Sequence, residues 1–210
     1  MADLALFDFD GTLTRGETFP PFVRAAVSPL RRRLGVPCLA PVVAGYRLGW
    51  VSGVTVRAAV VRVALTGMPV ATFEAHARRF VGQALPTLLR PQAMVRLDWH
   101  RARGDTVAVV SGNFEGLLRP WCETQGIACL ASTLEARDGR LSGRYLGAQC
   151  VGEEKARRVR AAYALDAFER IHAYGDSVED FALLALAHER HYRGRPLPAG
   201  LPVEALRTAA

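Results

Sequence analysis

Hydrophobic positions change their rhythm along this chain. Residues 4–9, LALFDF, make a short apolar run that ends in acids and DGT, the pattern of a buried strand entering a turn. From about 17 to 97 no strand alternation appears. Helical periods such as TFPPFVRAAVSPLRRRLG, VTVRAAVVRVAL and VATFEAHARRFVGQALPTLL are separated there by Pro and Gly. PQAMVRLDWHRARG continues as a helix to Gly104, a natural C-cap. TVAVVSG (106–112) is then a β-branched run closing on Ser-Gly, as a buried parallel strand does. A helix (FEGLLRPWCETQG), a strand (IACLAS) and a hairpin about Asp138-Gly139 follow. Next, GEEKARRVRAAYAL predicts a helix, RIHAYGD a strand, SVEDFALLALA a helix and RHYRG a last short strand. From Pro196 the tail is rich in Pro, Ala and Gly and is expected to be loosely held.

Strands alternating with helices predict an α/β fold, a doubly wound parallel sheet covered on both faces. The helical stretch after the first strand predicts an inserted cap. Residues 1–15 and 92–210 would form the α/β core domain and 16–91 the helical cap domain.

Composition narrows the functional classes. Half of the 210 residues are apolar and 22% are charged, as in an ordinary globular protein. The start, MADLALFDFD, lacks a basic n-region and carries acids, so no signal peptide is expected and the cytoplasm is the expected compartment. Cys38, Cys122, Cys129 and Cys150 show no CxxC spacing and read as reduced thiols. The net charge of +7 invites a nucleic-acid partner, but the arginines are spread along the chain without interleaved aromatics, which argues against one. Residues 34–56 carry a single charge, Arg47, over a length that could span a bilayer. Two prolines, four glycines and that arginine favour a buried or partly exposed helical segment instead, with membrane contact open but not favoured.

Three predicted strand ends carry chemistry: FDFDGTLT with Asp8 and Asp10, VVSGN with Ser111, and YGDSVED with Asp176 and Asp180. In a doubly wound sheet, ligands bind outside the carboxyl ends of strands. So many carboxylates at one edge raise one another's pKa unless a cation offsets them. Oxygen-only ligands without a nearby His or Cys favour magnesium. With the charge offset, Asp8 can act as an in-line nucleophile on a phosphoryl group, and Ser111 with the amides after it can hold the equatorial oxygens. A compact cation must balance nucleophile and phosphate, and Lys155 suits that need better than an arginine. It is the only lysine among 27 basic residues.

In this order the motifs resemble the haloacid dehalogenase superfamily of phosphohydrolases over nearly the whole chain. DFDGTLT is similar to its first motif, VVSGN to its second, Lys155 to its third and GDSVED to its fourth. The cap between the first two motifs and the hairpin before the lysine resemble the phosphoserine-phosphatase-like branch. The resemblance implies a Rossmann-like core and an aspartyl-phosphate on Asp8. Asp10 would serve as acid and then base, its backbone carbonyl contacting the metal. Ser111 and Gly112 would hold the phosphate, Lys155 would orient it, and Asp176 and Asp180 would support magnesium. Thr12 would lie in the same loop. Glu17 falls where that branch places an acid for a substrate ammonium, or it is an acid in the first turn of a cap helix. Asn113 stands where a second Gly is usual, and Glu179 where an Asn is, which argues against phosphoserine.

The expectation is a magnesium-dependent phosphatase of a small phosphorylated metabolite, with Glu17 or one of Arg47, Arg57 and Arg62 choosing the substrate. Two rivals stand beside it: a lipid-phosphate (phosphatidylglycerophosphate-like) phosphatase at the membrane surface, and a non-catalytic phospho-ligand binder. The histidines show no ligand spacing and read as structural.

Overall fold

The computed structural model describes residues 2–198 together with 201, 202 and 205. In chain order the strands are β1 (Leu4–Phe7), β2 (Thr106–Phe114), β3 (Ala128–Ser132), β4 (Leu134–Arg137), β5 (Arg140–Tyr145), β6 (Ile171–Gly175), β7 (Glu189–Tyr192) and β8 (Arg195–Pro196). The helices are α1 (Phe19–Ala26), α2 (Pro29–Arg47), α3 (Gly53–Leu65), α4 (Val70–Gln83), α5 (Leu85–Leu88), α6 (Pro91–Ala102), α7 (Glu115–Gln125), α8 (Glu153–Ala162) and α9 (Phe181–Leu184).

The main sheet runs β3-β2-β1-β6-β7-β8, parallel except for the short edge strand β8. β1 is central: Phe7 pairs with Val109 on one side and Tyr174 on the other. The order reverses at β1, so its carboxyl end opens the crevice where a doubly wound sheet binds ligands. Alternate residues of the strands divide between two cores. Ala5, Phe7, Val107 and Val109 pack with α6, α7 and the inserted helices, whereas Leu4, Leu6, Ala108 and Val110 pack with α8 and α9.

The long helical stretch between β1 and β2 contains α1–α5, as its periodicity predicts. It is tied to the sheet where its two ends cross: Arg15 donates its amide to Leu88, Arg90 donates to Leu13, and Thr14 bridges Leu89. An aromatic cluster joins the layers. Phe22 of α1 and Phe73 of α4 lie edge-on to Phe114 of β2, and Phe80 lies against Phe22. α2 behaves differently. Pro37 and Pro41 lie inside it, its only buried residues are Gly35 and Gly45, and Leu30, Leu34, Val36 and Tyr46 are exposed. Gly35 lets α3 approach, since a Cβ there would sit 2.6 Å from Val63, and Gly45 makes room for Val51 of the following loop. Trp50, in the loop after α2, is 81% exposed. No helix among the described residues is long and apolar enough to cross a membrane.

The structure departs from the sequence pattern in several places. β2 does not close at Gly112 but runs on to Phe114 through an irregularity after Ser111. The Ser132 hydroxyl, donating to the Gly112 carbonyl at 2.8 Å, holds that extension. The SVEDFALLALA helix is broken into a tight turn (178–180) and the single-turn α9, because the Asp180 side chain caps the turn instead of facing outward. Glu17 precedes α1 rather than lying in its first turn. The hairpin forms as expected, with Asp138 at φ 49° and Gly139 at φ 72°. Pro196 is in β8, and Leu197 and Leu201 pack on the core; residues 199, 200, 203, 204 and 206–210 of the tail lie outside the described residues.

Away from the crevice, a polar chain pins α6 to the sheet. Arg96 donates to the Tyr174 hydroxyl at 2.7 Å, and Tyr174 donates to His100 Nε2 at 2.8 Å. His100 Nδ1 in turn donates to Asp105 at 2.7 Å. His100 is fully buried, and that burial lowers its pKa to about 4 against an ordinary 6.5. The unfolded chain therefore takes up a proton near pH 6.5 that the folded chain refuses until about pH 4. Stability should fall across that window by on the order of 3 kcal/mol from this residue. Urea unfolding between pH 7 and 4.5 would show it as a slope that His100→Asn flattens; an unchanged slope refutes the assignment.

Candidate active site

The crevice at the end of β1 gathers the chemistry-bearing residues around one cavity. Asp8, Asp10, Glu17, Arg57, Ser111, Gly112, Asn113, Lys155, Asp176 and Glu179 all line it. β1 delivers Asp8, whose amide donates to the Tyr174 carbonyl of β6. The chain then makes a wide loop over 9–13, closed by Thr14 donating its amide to Phe9. Gly11 is required there: its φ is 83°, and a Cβ would lie 2.2 Å from an Asp176 carboxylate oxygen.

Lys155 leaves the first turn of α8 and is 2% exposed. Its ammonium donates to Asp8 Oδ1 at 2.5 Å and to Asp180 Oδ1 at 2.6 Å. The other Asp180 oxygen accepts from the amides of Asp176 and Ser177 and from the Ser177 hydroxyl. Asp180 thus joins the lysine to the loop that carries Asp176. Thr12 donates to Asp176 Oδ1 at 3.3 Å.

One oxygen each from Asp8, Asp176 and Asp180 lie within 4.8 Å of one another. The Asp10 carboxylate lies outside this group. Its Oδ1 accepts from the amide of Thr18 at 3.0 Å and from the Thr18 hydroxyl at 2.5 Å, and its Oδ2 accepts from Asn113 at 2.9 Å. Asn113 also donates to the Thr18 hydroxyl, and its carbonyl oxygen accepts from the Phe114 amide. Thr18, wholly buried, is the residue that sequence reading passed over. No periodic signal marks it, because it reaches Asp10 only when the loop folds back on itself.

Electrostatics separate the carboxylates. Burial, with Asp180 nearby, pushes Asp8 well above the usual carboxylate range although Lys155 pulls the other way. Burial and Asp180 likewise raise Asp176. Asp180 is held low by Lys155 and its hydrogen bonds despite its burial. Lys155 is opposed by burial, yet Asp180 and Asp8 together keep it firmly charged. Three carboxylates against one ammonium leave surplus negative charge, and Asp8 and Asp176 are the two whose ionisation it opposes. Asp10 is raised to about 6 by burial, Thr18 and Asn113 limiting the rise and Glu17 adding to it.

The cavity also meets the inserted helices. Arg57 of α3 donates to Glu179 at 2.7 Å and to Gln149 at 2.9 Å, so Glu179 is a paired charge rather than a free one. Of the three arginines weighed from sequence, Arg57 lines this cavity; Arg62 lines a different one and Arg47 ends α2 on the surface. Glu17 lines the cavity from an exposed position, and Ser111 is buried with its hydroxyl accepting from the Asn113 amide. His100 and His172 lie in buried hydrogen bonds outside the cavity.

A doubly wound sheet with acids, a buried lysine and a serine at its switch point is the architecture of a phosphoryl-handling hydrolase. Residues 5–185 match the haloacid dehalogenase-like hydrolase family, and the chain belongs to it. Protein CicA of Caulobacter vibrioides is 35% identical over 198 residues, covering 92% of this chain and 88% of that protein. A histidinol-phosphatase of Neisseria meningitidis is 29% identical over 119 residues, 53% of this chain and 54% of that one. The fold matches a substrate-bound phosphoserine phosphatase at TM-score 0.66 and 22% identity, covering 91% of this chain and 86% of that structure. The chain is thus a hydrolase of this family, and its fold is that of the phosphoserine-phosphatase-like branch.

Proposed function

We propose that this protein is a magnesium-dependent phosphatase that hydrolyses a phosphomonoester through an aspartyl-phosphate on Asp8. The observation that carries the reading is the set of buried Asp8 and Asp180 and half-buried Asp176 around one lysine, with Asp10 held apart from it. The donor set suits a hard divalent cation: all ligands are oxygens, they converge, and the nearby cations do not offset the carboxylate charge that keeps Asp8 and Asp176 raised. Asp8, Asp176 and Asp180 would hold it, Asp180 directly or through water. When bound, the cation neutralises phosphate charge and orients the phosphoryl group.

The chain's own residues perform the remaining work. Lys155 fixes one Asp8 oxygen; the other accepts from nothing among the described residues and is the nucleophile. It attacks phosphorus while the P–O bond to the alcohol breaks. Asp10, tuned near neutrality and held by Thr18 and Asn113, gives its proton to the departing alcohol oxygen. It then accepts a proton from the water that cleaves the acyl phosphate. Ser111 and the Gly112 amide hold the phosphoryl oxygens, and Arg57 and Glu17 face the alcohol.

Removal of divalent cations tests the reading. Hydrolysis of p-nitrophenyl phosphate should fall at least about a hundredfold in EDTA and return with Mg2+. Undiminished activity in EDTA would remove magnesium from the mechanism.

A further inference from the structure

The catalytic cavity is small, about 80 Å3. Pockets that take whole organic ligands usually hold roughly 300–1,000 Å3. A phosphoryl group fits the chamber; a complete phosphomonoester does not, so the alcohol must extend outward. A second cavity of about 470 Å3 adjoins it and shares Glu17, Phe19 and Arg57 with it. The adjoining groove lies among α1, α2 and α3, and Pro20, Val23, Tyr46, Val56 and Val60 line it. Apart from the shared pair, its charged residues are Arg24 and Arg32, both exposed. Beyond those charged side chains at its edges, a polar alcohol such as an amino acid would find few partners along these walls.

Resting on the phosphatase reading, we propose that the alcohol part of the substrate carries an apolar body that lies in this groove. The substrate class is then an amphiphilic phosphomonoester: phosphate in the chamber, neck between Glu17 and Arg57, apolar body against Val23, Val56 and Val60. The exposed apolar residues of α2 and Trp50 continue this character beyond the groove, and Arg31, Arg32 and Arg33 stand beside them in sequence. Such a substrate can come from two sources, a free amphiphile or a bilayer lipid.

The test is kcat/KM for ethyl, butyl and hexyl phosphate below their micelle concentrations, with Mg2+. Each buried methylene is worth up to about fourfold, so hexyl should exceed ethyl by roughly 30- to 100-fold. Val56→Asn/Val60→Asn should collapse the hexyl-to-ethyl ratio towards one, a readout that a general loss of activity does not mimic. Hydrolysis that is independent of chain length overturns the groove assignment and leaves the phosphatase reading intact. Failure to hydrolyse these esters and p-nitrophenyl phosphate alike overturns both. The source is then settled with phosphatidic acid, as monomeric short-chain lipid or within phosphatidylglycerol vesicles. Cleavage in vesicles with co-sedimentation assigns a bilayer lipid, and cleavage of the monomer alone assigns a free amphiphile; both support the groove.

Discussion

Asp8→Asn should abolish phosphatase activity, by about 10^4-fold or more, and leave the metal-free protein as stable as before or more so. The first half follows from chemistry: an amide oxygen is a poor nucleophile, and groups that act as a unit lose nearly everything when one is removed. The second half follows from charge. Burial and Asp180 raise the pKa of Asp8, so the folded state is penalised for ionising it at pH 7. Asparagine keeps the shape and still accepts from Lys155, yet brings no charge. Stability is thus held or gained as activity is lost, the trade-off expected where like charges are forced together. Activity on p-nitrophenyl phosphate together with a thermal melt in EDTA checks both halves. An active Asp8→Asn enzyme would end the aspartyl-phosphate mechanism, and a dead variant with a sharply lower melting temperature would leave misfolding as the cause.

Lys155→Arg should lose about 10^2- to 10^4-fold in kcat despite conserving charge. The ammonium stands at 2.5 and 2.6 Å from two carboxylates and is 2% exposed, with no room for a planar fork. A guanidinium must push either Asp8 off line or Asp180 off its loop, and misplacement by one ångström is costly to a reacting pair. Overpacking should cost about 1–3 kcal/mol of stability. Lys155→Met separates charge from shape: leaving Asp8 and Asp180 without their countercharge should cost more, about 3–5 kcal/mol. A fully active arginine variant would mean that the lone lysine is an accident of composition.

How far the sequence revealed this arrangement depended on what each residue needs from its neighbours. The apolar runs that became β1, β2 and β6, with the acids after β1 and β6 and the serine of β2, were legible because strand and turn are local and the sheet topology brings their ends together. Lys155 was legible as the one ammonium in an arginine-rich chain. Thr18 was not, since its bonds to Asp10 depend on a loop reversal that no spacing encodes. Nor was the pairing of Glu179 with Arg57, 122 positions apart, which turned an apparently unmatched acid into half of an ion pair. The broken helix at 178–184 misled for a similar reason: its pattern is helical, but Asp180 is claimed by Lys155 and by two backbone amides.

Phenylalanines set which parts of the insertion can breathe. Phe22, Phe73 and Phe80 interlock with Phe114 of the sheet, so α1 and α4 cannot swing away without opening the interior. α2 and the start of α3 have no such anchor. Their hold on the other side of the crevice is polar, Arg57 to Glu179 and Gln149, with Gln149 donating to the Val54 carbonyl. Opening of the crevice on this side should therefore depend on one helical hairpin and a partly exposed ion pair, which dissolved salt weakens. Rising ionic strength should then change turnover by loosening a contact at the rim of the crevice, without touching the carboxylates and lysine that do the chemistry.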